Sequence, residues 1–469
     1  MPHWRLDRST IAPVAGGGGG RGTRTVASFD QDAVTLATEA ARSALAGGLV
    51  PDMLLFGTVA PPVMDHTNAS VVHAALGLPA GVAAMDLGAS VRSVVGGFLM
   101  AASTTDTVAL TAADLRTGRA GSAEESGGGD AGACVVIGSD GGHDVVVAEV
   151  LAHASATGEV LDRWRIPGEA VSRTWDEKFT EVALRPLVAD ALNRALTTAG
   201  IEPADVAVAV VDAPSARIGA ALARVVGAQR TADDLSATVG ITGAAHPLLC
   251  LVNELERLAA AGDPGGTVVA LVHAGDGADV VLLRTTAALG HHRVDATVAD
   301  QLATGGAVAY GRYLSWRGML DVEPPRRPEP QRVSAPAAWR AANWKYAFSG
   351  SRDTTSGSVH LPPARVSADG TRTDEMEPVS LASAEGTVAT FTVDRVAYSP
   401  SPPIIFAVVD FDGGGRFPVE LCDLGPDEVT IGSRVALTFR RLHAADGIPN
   451  YFWKARLVRQ PPPGDGKEA

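Results

Sequence analysis

Cysteine, lysine and aromatic residues are scarce in this chain. The three cysteines, Cys134, Cys250 and Cys422, lie far apart and within apolar runs. An odd, sparse count excludes a disulfide framework and points to a reducing compartment. Each reads as a buried free thiol. No apolar run is long enough to cross a bilayer, and the opening MPHWRLDRST has no apolar signal core, so a cytoplasmic location away from membranes is expected. Positive charge is short as well: a net charge of −14 lacks the basic footprint that nucleic-acid phosphates require. Few lysines beside abundant Ala, Gly, Arg and Asp is a composition expected of a GC-rich bacterial genome.

What is present is an ordinary globular balance, 46% apolar and 20% charged over 469 residues, enough for two or three domains with a large core. The stretch AAMDLGASVRSVVGGFLMAA, Ala83 to Ala102, organises the rest. It reads as a buried strand ending near Leu87, a tight Gly-Ala-Ser turn, and a helix of small and apolar residues. Such a bend holds one side chain at the positive end of a helix, where the dipole and free N–H groups stabilise an anion. Upstream, GGGGG at Gly16 to Gly20 lacks the Lys-Ser/Thr of a phosphate loop and reads as a turn. Val34, Leu36, Ala37, Ala40, Ala41 and Leu45 recur at helical spacing behind the capping acids Asp30 to Asp32. The strand MLLFGTVA leads into a loop whose titratable pair, Asp65 and His66, reads as a loop acid and a helix-capping neighbour.

After the bend, TVALTAADLRTG and GDAGACVVIGSD read as strands, followed by strand, helix and strand in HDVVVAEVLAHA, RPLVADALNRALTTAG and DVAVAVVDAP. The run GGTVVALVHAGDGADVVLLR closes the pattern with a strand pair. Two βαβ-rich halves, about 1–140 and 141–292 with the split near Gly141, predict an α/β fold. Residues 293–340 hold an amphipathic helical run, VADQLATGGAVAYGRYLSWRGML, and a Pro- and Arg-rich linker. Residues 341–469 carry short strands with turn signals, which predict a small all-β OB-type barrel with Phe391, Phe406 and Trp453 in its core.

The Ala83–Ala102 stretch resembles the nucleophile elbow of the thiolase superfamily, above all 3-oxoacyl-ACP synthase III and hydroxymethylglutaryl-CoA synthase, which read Asp-x-x-x-Ala-Cys before a Gly-rich helix. RTVASFDQDAVTLATEAARSAL resembles the first helix of the hydroxymethylglutaryl-CoA synthases. The resemblance implies a duplicated αβαβα fold, acyltransferase-type chemistry, and CoA or an acyl-carrier thioester as substrate or ligand with no cofactor bound permanently. It places the nucleophilic cysteine at Val91 and a general acid/base at Val59. VVDAPSARIGAALARVVG, aligned on Arg217 and Ile218, puts the family histidine at Asp212 and an asparagine at Ser215. ATVGITGAAHPLL puts the asparagine that polarises the thioester oxygen at Ile241. A valine cannot attack a thioester, and Ile241 cannot donate to an oxyanion. The candidate substitutes are Ser90 and Ser93 as nucleophiles, with Asp212 or His246 as base. Arg92 and Arg217 are candidate contacts for ligand phosphates. Their plainer reading is a capping serine, a solvated arginine and a structural histidine.

The tail, through GSR, LPPARV and GIPNYFWKARLVR, resembles the zinc-ribbon plus OB-fold domain of acyl-CoA-associated proteins. That family's two Cys-x-x-Cys knuckles fall on Asp353, Ser356, Ser367 and Gly370, which cannot form a tetrahedral thiolate site, so no metal is expected. Together the two resemblances imply a non-catalytic or diverged synthase-like subunit working with a thiolase-family partner. The alternatives are an active acyltransferase or C–C bond-forming or cleaving enzyme without a cysteine acyl-enzyme, and a plain scaffold. A homo-oligomer is expected too, paired through DTVALTAAD as an apolar edge strand. Elemental analysis of the purified protein is expected to find no stoichiometric zinc; about one zinc per chain would overturn the placement of the ribbon.

Overall fold

The computed structural model describes residues 1–138, 146–323 and 326–459. The boundary expected near Gly141 lies outside the described residues, as do Pro324 and Pro325 of the linker. The chain begins with an antiparallel pair, β1 (Trp4–Asp7) and β2 (Thr23–Val26), which leads into helix α1 (Ala33–Ala44). Asp32 caps that helix: its carboxylate accepts from the Thr35 N–H at 3.0 Å, and the Thr35 hydroxyl answers the Asp32 N–H at 2.9 Å.

The first sheet holds β3 (Met53–Thr58), β4 (Ala83–Gly88), β5 (Val108–Asp114) and β6 (Ala131–Ile137) in the order β4-β3-β5-β6. Helix α2 (Ala69–Ala75) crosses between β3 and β4, and helix α3 (Arg92–Ala101) follows β4. The second sheet holds β7 (Ala148–Thr157), β8 (Val208–Asp212), β9 (Val268–Ala274) and β10 (Gly277–Thr285) in the order β8-β9-β10-β7, with Arg230–Thr231 beyond β8. Helices α4 (Glu177–Ala199), α5 (Ala216–Val226) and α6 (His246–Ala260) complete this half.

Alternation along the strands sorts these elements into layers. Val208, Val210, Val269, Leu271, Val281 and Leu283 join Val94 and Phe98 of α3 and Leu248 and Leu249 of α6 in one core. The intervening Ala209, Val211, Ala270, Val272, Val280 and Leu282 pack instead on Leu184, Val188 and Leu192 of α4 and Ile218 and Leu222 of α5. The first sheet turns Leu54, Phe56, Ala109 and Ala113 toward α1. The result is the expected αβαβα stack, with α3 and α6 between the sheets.

Two expectations are corrected. The edges of the first sheet are β4 and β6; β5 lies between β3 and β6 with all its residues buried. Its continuous apolar run, TVAL, marks a strand covered on both faces. The helical run after Arg293 packs on the start of the chain: Gly306 and Ala307 pair with β1, and Val308, Tyr310 and Tyr313 pack on Leu6, Ile11 and Val26. Phe406 is 46% exposed, because Ile405, Ala407, Val409 and Phe411 take the inward positions of its strand.

The tail forms a closed barrel of β11 (Glu385–Asp394), β12 (Ile404–Phe411), β13 (Arg416–Leu421), β14 (Arg434–Ala445) and β15 (Ile448–Leu457), in the order β11-β12-β13-β15-β14. The segment expected to be a degenerate ribbon precedes it. There the Arg372 guanidinium stands 3.5 Å from Asp353, 3.6 Å from Asp369 and 3.9 Å from Glu375, bridging the two places where the resemblance puts the knuckles. Among the described residues no cluster of His, Cys, Asp and Glu could hold a metal ion, and no helix is long and apolar enough to cross a membrane.

The barrel is welded to α1 through buried charge. Asp30 meets Arg440 at 3.2 Å and Lys454 at 3.0 Å, and all three side chains are at most 2% exposed. Asp423 and Glu420 complete the neutralisation of the two cations. The Tyr451 hydroxyl donates to Asp32 at 2.8 Å, and the Phe439 N–H donates to Glu39 at 3.0 Å. Burial opposes the charge on Asp30, but Lys454 and Arg440 outweigh it and hold its carboxyl well below the usual range. Asp30→Ala is expected to cost about 1.5–3 kcal/mol in chemical denaturation at neutral pH, because Arg440 and Lys454 each lose a buried charged partner while keeping Asp423 and Glu420. A folded-state value below the unfolded one means the Asp30 contribution is complete above about pH 4 and fades as the pH falls. The gap between wild type and variant should therefore narrow in acid; a gap independent of pH would contradict the pairing.

Candidate functional site

The parallel strands β8 and β9 end side by side, with Asp212 and His273 in register, and Asp279 at the start of β10 in register with His273. All three continue the strand positions that face the layer between the sheets. The ends of parallel strands beside a helix N-terminus are where open α/β sheets place ligands. Here the His273 Nδ1 lies 2.6 Å from the Asp212 Oδ2, with the two side chains 3% and 4% exposed. Its Nε2 is buried with no hydrogen-bond partner among the described residues. Burial pulls the imidazole pKa down, but the bond to Asp212 and the charges of Asp212 and Asp279 prevail and raise it.

The elbow meets these residues from the first half. Arg92, the first residue of α3, grips Asp279 at 2.8 and 3.2 Å and the Thr157 hydroxyl at 3.1 Å. Gly277, with φ of +133°, makes room for it: a Cβ there would stand 2.5 Å from the Arg92 guanidinium. The Ser90 hydroxyl donates to Asp276 at 2.6 Å. Val91 occupies the N-cap of α3, and Ala89 before it takes a φ of +76°, a strained conformation for a residue with a side chain. The Ser93 hydroxyl turns back to the Gly88 carbonyl at 2.8 Å. Asp86 accepts from the Asn68 and Ala69 N–H groups at 2.8 and 2.7 Å and so starts α2.

The remaining positions gather around Asp114, a fully buried carboxylate that ties the halves together. It accepts from the Val59 N–H at 2.8 Å, the Thr58 hydroxyl at 2.8 Å and the Ala244 N–H at 2.6 Å. Burial raises its pKa. Arg165 covers Val59 by donating to its carbonyl, and Arg163 binds Glu124 beside Arg116. Burial and then the neighbouring Arg163 bring Arg116 down to about 10. Ile241 is bridged to Gly128.

The structure thus joins Asp212 to His273, while Ser90 bonds Asp276 and Ser93 the Gly88 carbonyl, so neither candidate serine is bonded to Asp212 or His246. His246 begins α6 with its ring 3.4 Å from Thr242 and 3.7 Å from the Cys250 sulfur, and burial lowers its pKa. Arg217 pairs with Glu177 and Glu181 at 2.9 and 3.0 Å on the surface, and Ser215 caps α5. Asp65 and His66 are exposed. No thiol is activated: burial pushes Cys134 up to about 12 and raises Cys250 and Cys422 as well. Sequence reasoning missed His273, Asp276 and Asp279, whose signal was the titratable cluster HAGDGAD at a strand turn. Since the left-handed backbone at Ala89 is what strains the elbow, Ala89→Gly is expected to raise stability by about 0.5–1 kcal/mol in urea unfolding; a loss of stability would show that the methyl packs usefully.

Comparison with known proteins separates the two bodies. The family described as ChsH2, C-terminal OB-fold domain, matches residues 380–440. A DUF35 domain-containing scaffold protein of Methanocaldococcus jannaschii is 30% identical over 126 residues, 26% of this chain and 89% of that protein. Its namesake in Methanothermobacter thermautotrophicus is 25% identical over 121 residues, 25% of this chain and 90% of that protein. The α/β body shares its fold with thiolase-like synthases. 3-Oxoacyl-(acyl carrier protein) synthase III from Pseudomonas aeruginosa PAO1 superimposes with a TM-score of 0.54 at 22% identity, over 61% of this chain and 95% of that one. A hydroxymethylglutaryl-CoA synthase complexed with CoA superimposes with a TM-score of 0.56 at 14% identity, over 66% and 86%.

Proposed function

The chain belongs, through its C-terminal barrel domain, to the DUF35 domain-containing proteins, and from that premise we propose that it is a synthase-like subunit that binds acyl thioesters without forming a cysteine acyl-enzyme. The observation that carries the reading is the elbow itself. Its strand, strained turn and helix are in place, and the residue at the head of the helix is Val91. Val59, Asp212 and Ile241 depart from the resemblance in the same way. The ligand is CoA or an acyl-carrier thioester, which the CoA in the hydroxymethylglutaryl-CoA synthase complex supports. The name scaffold protein borne by the two archaeal relatives supports an assembling role beside a thiolase-family partner. In this chain the barrel is already docked on a synthase-like body through Asp30, so the partner would be a second, active one.

A second reading, an enzyme that acts on the thioester without a covalent step, is favoured by one feature, the buried Asp212–His273 pair. Both readings give the same expectation for covalent labelling. Intact-mass measurement after incubation with acetyl-CoA should show no shift. A shift on Ser90 or Ser93, abolished by the Ser→Ala change, would sink the reading. Val91→Cys should create labelling if the pocket lacks only its nucleophile.

The oligomer follows from β4. Its outer edge has no strand partner among the described residues, and Met85 on it and Met100 on α3 are 46% and 58% exposed. A second copy continuing the sheet through β4 would cover both. Light scattering should report a dimer that Met85→Asp disperses; a 48 kDa species for the wild-type chain at micromolar concentration would count against it.

A further inference from the structure

We propose that His273 is a general base that activates water against a bound acyl thioester, with Asp212 as its positioning residue, so that the site hydrolyses thioesters. The inference rests on the thioester-binding reading above and adds a reaction to it. Three observations converge. First, the position where the resemblance expects a histidine holds Asp212, and the neighbouring strand supplies a histidine in register with it. The Nδ1 of His273 is 2.6 Å from the carboxylate. An acid bonded to Nδ1 fixes the tautomer and leaves the Nε2 lone pair free to accept a proton.

Second, that Nε2 is buried and has no partner among the described residues. A buried acceptor with no donor is costly, and native proteins retain one where a water or ligand completes it. Third, the residue sits at the carboxyl ends of parallel strands, on the face shared with α3 and α6. The Arg92–Asp279 ion pair brings the N-terminus of α3 against those same strand ends. The positive end of that ten-residue helix suits a developing oxyanion. The charged groups around the imidazole are Asp212, Asp279 and Arg92. The first two favour the imidazolium that forms when the base has taken its proton.

The step balances without any further reactant. As the water oxygen bonds to the carbonyl carbon, Nε2 takes one water proton. The tetrahedral intermediate then collapses, the carbon–sulfur bond breaks, and the CoA sulfur leaves with the electron pair. It receives the proton from Nε2, which returns His273 to its starting state and releases a carboxylic acid and the CoA thiol. Water stands in for the missing nucleophile at Val91, so no covalent intermediate is required.

The test uses the full chain with acetyl-, hexanoyl- and benzoyl-CoA, following thiol release, and measures binding of S-ethyl-CoA, a thioether that cannot be cleaved. The wild-type protein should bind the thioether and release thiol at a rate that rises with pH to a plateau. His273→Gln should lose about 100-fold or more in rate with thioether affinity retained. His273→Asn serves if the glutamine variant does not fold. Asp212→Asn should lower the rate and move the inflection of the pH profile. Thioether binding without thiol release, or release unaffected at His273, would overturn this proposal and leave the binding reading standing. Absence of thioether binding would overturn both.

Discussion

A carboxylate taken out of water must be met by cations or hydrogen-bond donors, and this requirement decides how the pieces of the chain are joined. Asp30 meets Arg440 and Lys454 at the seam between barrel and α1. Asp114 meets three donors from two separate segments and fixes Val59 relative to Ala244. Asp130, fully buried, takes Arg24 at 3.3 Å and also binds Arg317, which fastens the returning segment after Tyr310 onto β2. Asp279 takes Arg92 and seats the elbow on the second sheet. Apolar burial supplies the bulk of the stability and sorts the layers by strand alternation. The ion pairs add a second constraint on how the two sheets, the barrel and the elbow are joined, because separating one of them removes a partner from a buried charge.

The site is the by-product of that arrangement. Seating Arg92 on Asp279 brings the positive end of α3 to the ends of β8 and β9, where Asp212 and His273 already stand. At the positions where the resemblance implies covalent chemistry stand Val59, Val91, Ile241 and Asp212, and beside them the turn at Ala89 is strained. Strain of this kind survives only where the surroundings hold it in place, and the Arg92 and Ser90 contacts do so here.

Much of the architecture was legible in the sequence, because it is written locally. The Asp32 capping box, the alternation in β8 and β9 and the small residues of α3 each follow from neighbours within a few positions. What could not be read depends on contacts between distant segments. His273 looked like one more residue of a closing strand; only the parallel register of β8 and β9 puts it beside Asp212, 61 positions away. Arg92 and Arg217 looked equally free for a ligand, whereas each has carboxylates folded onto it. The apolar run in β5 suggested an exposed edge, and sheet order, which no local pattern encodes, placed β4 there instead. Phe406 failed for a simpler reason: its strand presents two apolar faces, and the phase of the alternation is set by the barrel's closure.

The central claim is that the elbow is an intact thioester site without its nucleophile. The most direct test is a crystal structure of the full chain with S-ethyl-CoA. The account predicts the thioether sulfur between Val91 and the strand ends that carry Asp212 and His273, with no bond to protein. Binding elsewhere on the chain, or an elbow region closed to the thioether at saturating concentration, would contradict it.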